Sequence, residues 1–132
     1  MRLKLGFKPT AFTLVEIMIV VAIISLLAAI ALPGFLRARK RTQASRIVND
    51  LRMLDSAVHQ YAIETNRSGG FPVGTADWTN YLKVGTNLYL TATDVLGNTF
   101  GQQTVDSIPK VPTNSYNALS DVTDAAFWSP YN

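Results

Sequence analysis

A chain of 132 residues with twelve Lys and Arg against nine Asp and Glu carries a formal charge of +3 and no cysteine. That suits one compact domain plus one extended element, and it excludes disulfide frameworks, thiol nucleophiles and cysteine metal sites. The positive excess is local: Arg2, Lys4 and Lys8 supply all of it, which leaves nine basic and nine acidic side chains from residue 12 onward.

The first element begins behind this basic leader. The run Ala11-Phe12-Thr13-Leu14-Val15-Glu16-Ile17-Met18-Ile19-Val20-Val21 places one carboxylate, Glu16, inside an otherwise apolar helical pattern. From Ile17 to Leu32 there is no charge and Ser25 is the sole polar residue. A carboxylate in hydrocarbon costs roughly 2.5–3.5 kcal/mol at a membrane centre and less near its edge, so such residues usually have a partner and a task. No basic residue lies within helical reach of Glu16 inside the segment, and the partner must come from elsewhere. Phe12 to Leu32 as a helix spans about 31 Å, which matches a hydrocarbon core of about 30 Å. Pro33-Gly34 then interrupts the pattern, either as a helix end at the membrane surface or as a kink or meltable point in a longer helix.

Past the proline the helical period resumes. Residues 37–66 form a basic neck, with Arg37, Arg39, Lys40 and Arg41 packed together, followed by an apolar stripe at Ile47, Leu51, Leu54, Val58 and Tyr61. The neck reads first as a solvated helix face, second as a dock for an acidic surface, and last as a nucleic-acid patch. The lone histidine, His59, lies beside the stripe as a helix-surface residue. Asn66, Ser68-Gly69-Gly70 and Pro72 stop the helix.

The remaining stretch, 67–132, is mildly acidic and forms a head. Thr75 is expected to cap a short helix through Leu82 with Trp78, Tyr81 and Leu82 inward. Alternation over Leu88 to Thr93 predicts a half-buried strand, Gly97-Asn98 a turn, and Thr99 to Val105 a return strand. Ser115 to Leu119 is a candidate third strand, and Asp121 to Trp128 is ambiguous. The aromatic tail Phe127, Trp128 and Tyr131 reads as a clasp over the sheet, with an exposed adhesive patch as the alternative. A head this small without disulfides is marginal alone. Its sheet is therefore expected to cover the Ile47–Tyr61 stripe, so that helix and sheet share one core.

The basic leader followed by Ala11-Phe12-Thr13-Leu14-Val15-Glu16 resembles the class III signal of type IV pilins and type II secretion pseudopilins. The apolar segment, Pro33, the amphipathic helix and Asn66…Gly69-Gly70-Phe71-Pro72 follow in the order of that family. Asp94-Val95-Leu96-Gly97-Asn98-Thr99-Phe100 is similar to a degenerate Asp-Pro-aromatic-Gly-Asn-Pro-aromatic block of major pseudopilins. The resemblance implies an α+β fold, a long N-terminal helix packed against a small antiparallel sheet. Its parts would be a cleaved leader (1–11), a transmembrane and filament-core helix (12–36), an amphipathic half-helix (37–66) and a β-rich head (67–132).

It also implies that a prepilin peptidase cuts between Ala11 and Phe12, where Ala11 replaces the family's usual glycine, and methylates the new amine of Phe12. Glu16 matches the glutamate the family keeps four residues after the cut and would set register by meeting a neighbour's amine. The implied partners are further copies of the chain in a helical filament, minor pilins or pseudopilins, an inner-membrane platform, an assembly ATPase and membrane lipid. Nucleic acid is not expected among them. The implied location is the bacterial inner membrane, single-pass, with the leader cytoplasmic and the head periplasmic or extracellular, and then a periplasmic or surface filament. Counting basic residues alone favours a cytoplasmic head, because the neck carries four against three in the leader.

Asp121 and Asp124 are similar in position to the calcium-binding end of major pseudopilins, but two carboxylates fall short of the six to eight oxygens that calcium takes. No firm metal site and no cofactor are assigned. No residue set here forms a nucleophile–base pair, so an enzyme is the weakest class. A secretion pseudopilin is the leading reading and a surface type IV pilin used in adhesion, twitching or DNA uptake the alternative. A plain membrane anchor is a further reading. A soluble secreted protein, released at Ala29-Ile30-Ala31 to begin at Leu32, is another.

Overall fold

The computed structural model describes Gly6 and residues 10–132; the leader residues Arg2, Lys4 and Lys8 lie outside the described residues. The chain divides into two units, one ending at Leu36 and one from Arg37 to Asn132. A helix, α1 (Leu14–Thr65), contributes to both. It is followed by β1 (Pro72–Val73), α2 (Thr75–Thr79), α3 (Asn87–Thr91), β2 (Gln103–Thr104), α4 (Thr113–Leu119) and α5 (Ala125–Trp128).

In the first unit every residue from Phe12 to Leu36 is exposed. The most apolar 18-residue window of α1 reaches a mean hydropathy of 2.8, enough in length and composition to cross a membrane. The hydroxyl of Ser25 donates to the carbonyl of Val21 at 2.7 Å, so the one polar side chain between Ile17 and Leu32 is satisfied within its own helix. α1 continues unbroken through Pro33 and Gly34. Proline has no N–H, so the carbonyl of Ala29 loses its usual donor there.

In the second unit, the α1 stripe is buried as the period predicts. Ala44, Ile47, Leu51, Leu54, Ala57, Val58 and Ala62 are at most 8% exposed, while Tyr61 at the end of the stripe is half-buried. Across from them sit Val73, Trp78, Leu88, Phe100, Val105, Leu119, Trp128 and Tyr131, all in one cluster. Helix and head thus share a core, as expected. Both buried indoles find acceptors, Trp78 Nε1 at the Gly101 carbonyl (3.3 Å) and Trp128 Nε1 at the Thr123 hydroxyl (3.1 Å).

α1 ends in a Schellman arrangement. Asn66 takes a left-handed φ of 52°, Arg67 N–H donates to the Ala62 carbonyl at 2.9 Å, and Asn66 N–H donates to the Ile63 carbonyl at 3.4 Å. The sheet is antiparallel, pairing Pro72 with Thr104 and Val73 with Gln103. Together with the long helix it makes the fold α+β.

The head departs from expectation where strands were read. Leu88–Thr93 is not a strand: Thr86 caps α3 by accepting the Tyr89 N–H at 3.2 Å, and Ala92 closes it with a left-handed φ of 53°. Leu88 and Ala92 are buried four residues apart whereas Leu90 is exposed, which is helical burial and not alternation. Ser115–Leu119 is likewise helical, with Ser115 and Leu119 buried at the same spacing behind Pro112. The turn at Gly97, φ 84°, is present, but it closes only an isolated bridge between Thr93 and Thr99. The return strand shrinks to β2, which pairs with β1 instead. α2 begins at Thr75 as expected and buries Trp78, but its cap is Gly74, whose N–H donates to Asp77 at 3.1 Å. α2 ends at Thr79, before Tyr81 and Leu82, which are partly buried.

In the aromatic tail, Trp128 and Tyr131 are buried, and Phe127 lies edge-on to Trp128 with centroids 5.3 Å apart. The Val111 N–H donates to the Tyr131 carbonyl at 2.8 Å, which pins the C-terminus. It is a clasp, over a helical core more than over a sheet. Leu51 lies at the centre of the stripe and is fully buried. Leu51→Ala should destabilise the detergent-solubilised chain by about 2–5 kcal/mol, read from denaturant unfolding followed by tryptophan fluorescence.

Candidate assembly site

The stem is a side-chain surface that no other described residue covers. Phe12, Leu14, Val15, Met18, Ile30 and Phe35 are each more than 60% exposed, and an apolar patch of that extent on a protein marks a lipid or protein contact. At its head stands Glu16, in the first turn, where a negative charge complements the helix dipole.

Glu16 has a partner that sequence reasoning missed. The Thr13 N–H donates to Glu16 Oε2 at 2.7 Å, the Thr13 hydroxyl donates to the same oxygen at 3.1 Å, and the Glu16 N–H returns a bond to the Thr13 hydroxyl at 3.2 Å. This is a reciprocal capping box. The signal is legible as Thr13-x-x-Glu16 ahead of an apolar run, a neutral partner where a cationic one is expected. Phe12 is 81% exposed and adjoins Thr13. Any amine freed at Phe12 would lie one residue from the group that Glu16 already holds.

Pro33 and Gly34 lie inside α1, and a Cβ added at Gly34 would meet nothing within 4 Å. The absence of a side chain there serves no packing among the described residues. In the neck, Lys40 Nζ bonds Asp121 at 2.7 Å, which ties the α4–α5 link to α1 and holds the Asp121 carboxyl below its ordinary range. Arg37, Arg39 and Arg41 remain exposed. His59 is exposed too, with Asp55 at 3.5 Å and Asp106 at 3.9 Å.

Asp121 and Asp124, the calcium candidates, are engaged in other ways. Asp121 holds Lys40, and Asp124 caps α5 by accepting the Phe127 N–H at 2.9 Å. Among the described residues no three His, Asp or Glu side chains converge as a metal site would need.

The Asp94–Phe100 block is organised by a buried carboxylate. Asp94 accepts the N–H groups of Leu96 (2.8 Å) and Asn98 (3.0 Å) and the hydroxyl of Ser115, while the Asn98 side chain donates to Ser115 at 2.8 Å. Asp94 thereby ties the Gly97 turn to α4. Nearby, Asp50 on α1 is half-buried at a groove of about 590 Å³ that it lines with Arg46, Met53, Asn87, Leu88 and Val95. Burial first, and the Asp94 charge second, push the Asp50 carboxyl up to about 6, and Arg46 offsets only part of this.

Comparison with known proteins bears on the stem. Residues 8–32 match the model of the prokaryotic N-terminal methylation motif. The chain is similar to type II secretion system core protein G of Pectobacterium carotovorum subsp. carotovorum, 32% identical over 62 residues, covering 47% of this chain and 40% of that protein. It is also similar to the type IV major pilin protein PilA of Myxococcus xanthus (strain DK1622), 43% identical over 60 residues, covering 46% and 27% respectively. A fimbrial protein of Pseudomonas aeruginosa is 47% identical over 53 residues, 40% of this chain and 34% of that one. The chain thus spans well under half the length of these relatives. No solved structure matches it. The prepilin-type resemblance drawn from the leader and the stem holds, and relatives of both kinds, secretion and pilus, carry it.

The Asp50 environment has a pH consequence. The folded carboxyl titrates near 6 against 3.8 unfolded, so between those values the folded state binds more protons and stability falls as pH rises. Asp50→Asn should remove that slope and raise stability at pH 7 by about 1 kcal/mol once solvent screening is allowed for. Thermal melts of both proteins in detergent from pH 4 to 7.5 would show the wild-type midpoint falling relative to the variant's as pH rises.

Proposed function

We propose that this chain is a structural subunit of a helical pilus-like filament, made as a prepilin and most consistent with a type II secretion pseudopilin that drives protein export across the outer membrane. The observation that carries this reading is the stem. It is a helix with its apolar surface uncovered on every side and one carboxylate in its first turn. In a bilayer, lipid covers that surface; in a filament, the stems of other copies do. Its work is mechanical.

Prepilin peptidase would cut between Ala11 and Phe12 and methylate Phe12, a change that keeps the amine cationic. The leader would remain cytoplasmic and the head would lie outside. Glu16 then has two competing partners, its own Thr13 cap and the amine of a neighbouring subunit. Two unit charges at 4 Å attract by about 4 kcal/mol at an effective dielectric of 20, offset by desolvation and by loss of the bonds to Thr13. The net gain is modest per subunit and acts mainly as a register rule, since an unpaired amine in the apolar stem array is costly. Pro33 and Gly34 supply the point where the stem would bend or unwind as copies pack. An inner-membrane platform, an assembly ATPase and minor subunits complete the machinery.

The second reading is a type IV pilin of surface fibres, favoured by the higher identity to the Myxococcus and Pseudomonas relatives. The Asp94–Phe100 block and the absence of a cysteine-closed loop favour secretion. Deleting the gene and examining cells by electron microscopy alongside an exoprotein assay separates the two. Loss of secretion with no loss of long fibres supports the pseudopilin; the reverse outcome supports the pilus.

Two substitutions test the role of Glu16. Glu16→Ala should insert in the membrane normally yet reduce filament yield at least tenfold. Thr13→Ala, which breaks the cap at a cost of about 0.5–2 kcal/mol but keeps the carboxylate, should still assemble. Sheared-fraction immunoblots read both, and normal filament yield from Glu16→Ala would refute the register role.

A further inference from the structure

Where α1 ends, the chain reads Asn66-Arg67-Ser68, the Asn-x-Ser/Thr pattern with a non-proline middle residue that N-linked glycosylation uses. Neither the stem nor the shared core employs this segment, and all three residues are exposed. The amides of Asn80 and Asn98 are committed to the Ala76 carbonyl and the Ser115 hydroxyl. Among the described residues the Asn66 amide and the Ser68 hydroxyl make no such bond.

The backbone there is shaped for access. Asn66 leaves the helix with φ 52°, and the chain then turns through Gly69 and Gly70 (φ 84°) before β1. The acceptor amide therefore sits on a protruding helix end and outside the helical ladder. The Arg67 guanidinium lies 4.2 Å from the Phe71 ring centroid, which parks the middle side chain on the ring. Glu64, two residues ahead, is exposed and accepts the Tyr81 hydroxyl at 2.7 Å. One turn back, Ile63 is 80% exposed with nothing upon it, and a sugar on Asn66 would shield that apolar side chain.

We propose that Asn66 is an N-glycosylation acceptor that takes an oligosaccharide from a polyprenyl-diphosphate donor once the head has left the cytoplasm. In the transfer, Nδ2 of Asn66 forms a bond to the anomeric carbon of the sugar. The bond from that carbon to the diphosphate oxygen breaks, and the polyprenyl diphosphate departs with the electron pair. One amide proton passes to a base of the transferase. Nothing is oxidised or reduced, and Ser68 supplies the hydroxyl that the pattern requires. The proposal rests on the exported-head reading given under the proposed function.

The test is peptide mass spectrometry on the full chain from its native membranes, reading two regions at once. The expected result is an N-terminal peptide beginning at Phe12 and an Asn66 peptide carrying added sugar mass. Asn66→Asp, which tolerates the left-handed backbone but lacks the amide, and Ser68→Ala should each abolish that mass, and Ser68→Thr should retain it. A chain processed at Phe12 with only unmodified Asn66 peptide overturns the acceptor and leaves the filament reading intact. An unprocessed chain whose head resists protease added from outside overturns the filament reading and the acceptor with it. Sugar on another residue, unaffected by Asn66→Asp, overturns the acceptor alone.

Discussion

A helix satisfies its own backbone hydrogen bonds, and that property lets one element serve two solvents. In α1 the residues from Leu14 to Leu36 can be apolar on all sides because no N–H or C=O needs water or a sheet partner. From Ala44 to Ala62 the same helix presents a single buried stripe, on which the whole head condenses. A strand could do neither, since its edges would demand partners in lipid and its faces would split the stripe. The head in turn has little secondary structure of its own: two strands of two residues and four short helices. Its order comes from the stripe, from the two buried tryptophans and from Asp94.

Polar groups in this protein are placed where the fold cannot otherwise close. Asp94 can be buried because three donors meet its carboxylate, the N–H groups of Leu96 and Asn98 at the Gly97 turn and the hydroxyl of Ser115, which removes the penalty of an unpaired buried carboxylate. Asp50, half-buried nearby, is pushed up by that burial first and by the Asp94 charge second. Lys40 and Asp121 hold the α4–α5 link from the surface, where one exposed pair contributes little to stability but fixes a position. Glu16 follows the same logic at the other end of the chain. Its bonds to Thr13 satisfy the carboxylate within its own first turn.

The head shows why alternation misled at Leu88–Thr93. Leu88, Leu90 and Ala92 satisfy a period of two, but Leu88 and Ala92 also satisfy a period of four, and a short segment holds both patterns equally well. Thr86 as a cap and the left-handed Ala92 decided for the helix. Ser115–Leu119 had the same ambiguity, and Pro112 just ahead of it was the unused helix-start signal. The reduced sheet follows, because β2 could pair only with β1 once those segments were helical.

The amino-acid sequence by itself determined the stem, the stripe and the point where α1 stops. Each of these is a long periodic pattern or a local capping motif, whose energetics are settled within a few turns of chain. It also determined Glu16 as the singular charge of the stem and, through Thr13-x-x-Glu16, its first partner. Only the tertiary structure decided that the head is mostly helical, that Asp94 organises the Gly97 turn, and that Asp121 pairs with Lys40. Those outcomes depend on contacts between residues up to 81 positions apart, and local pattern carries no information about which of two equally good periods a distant surface will accept.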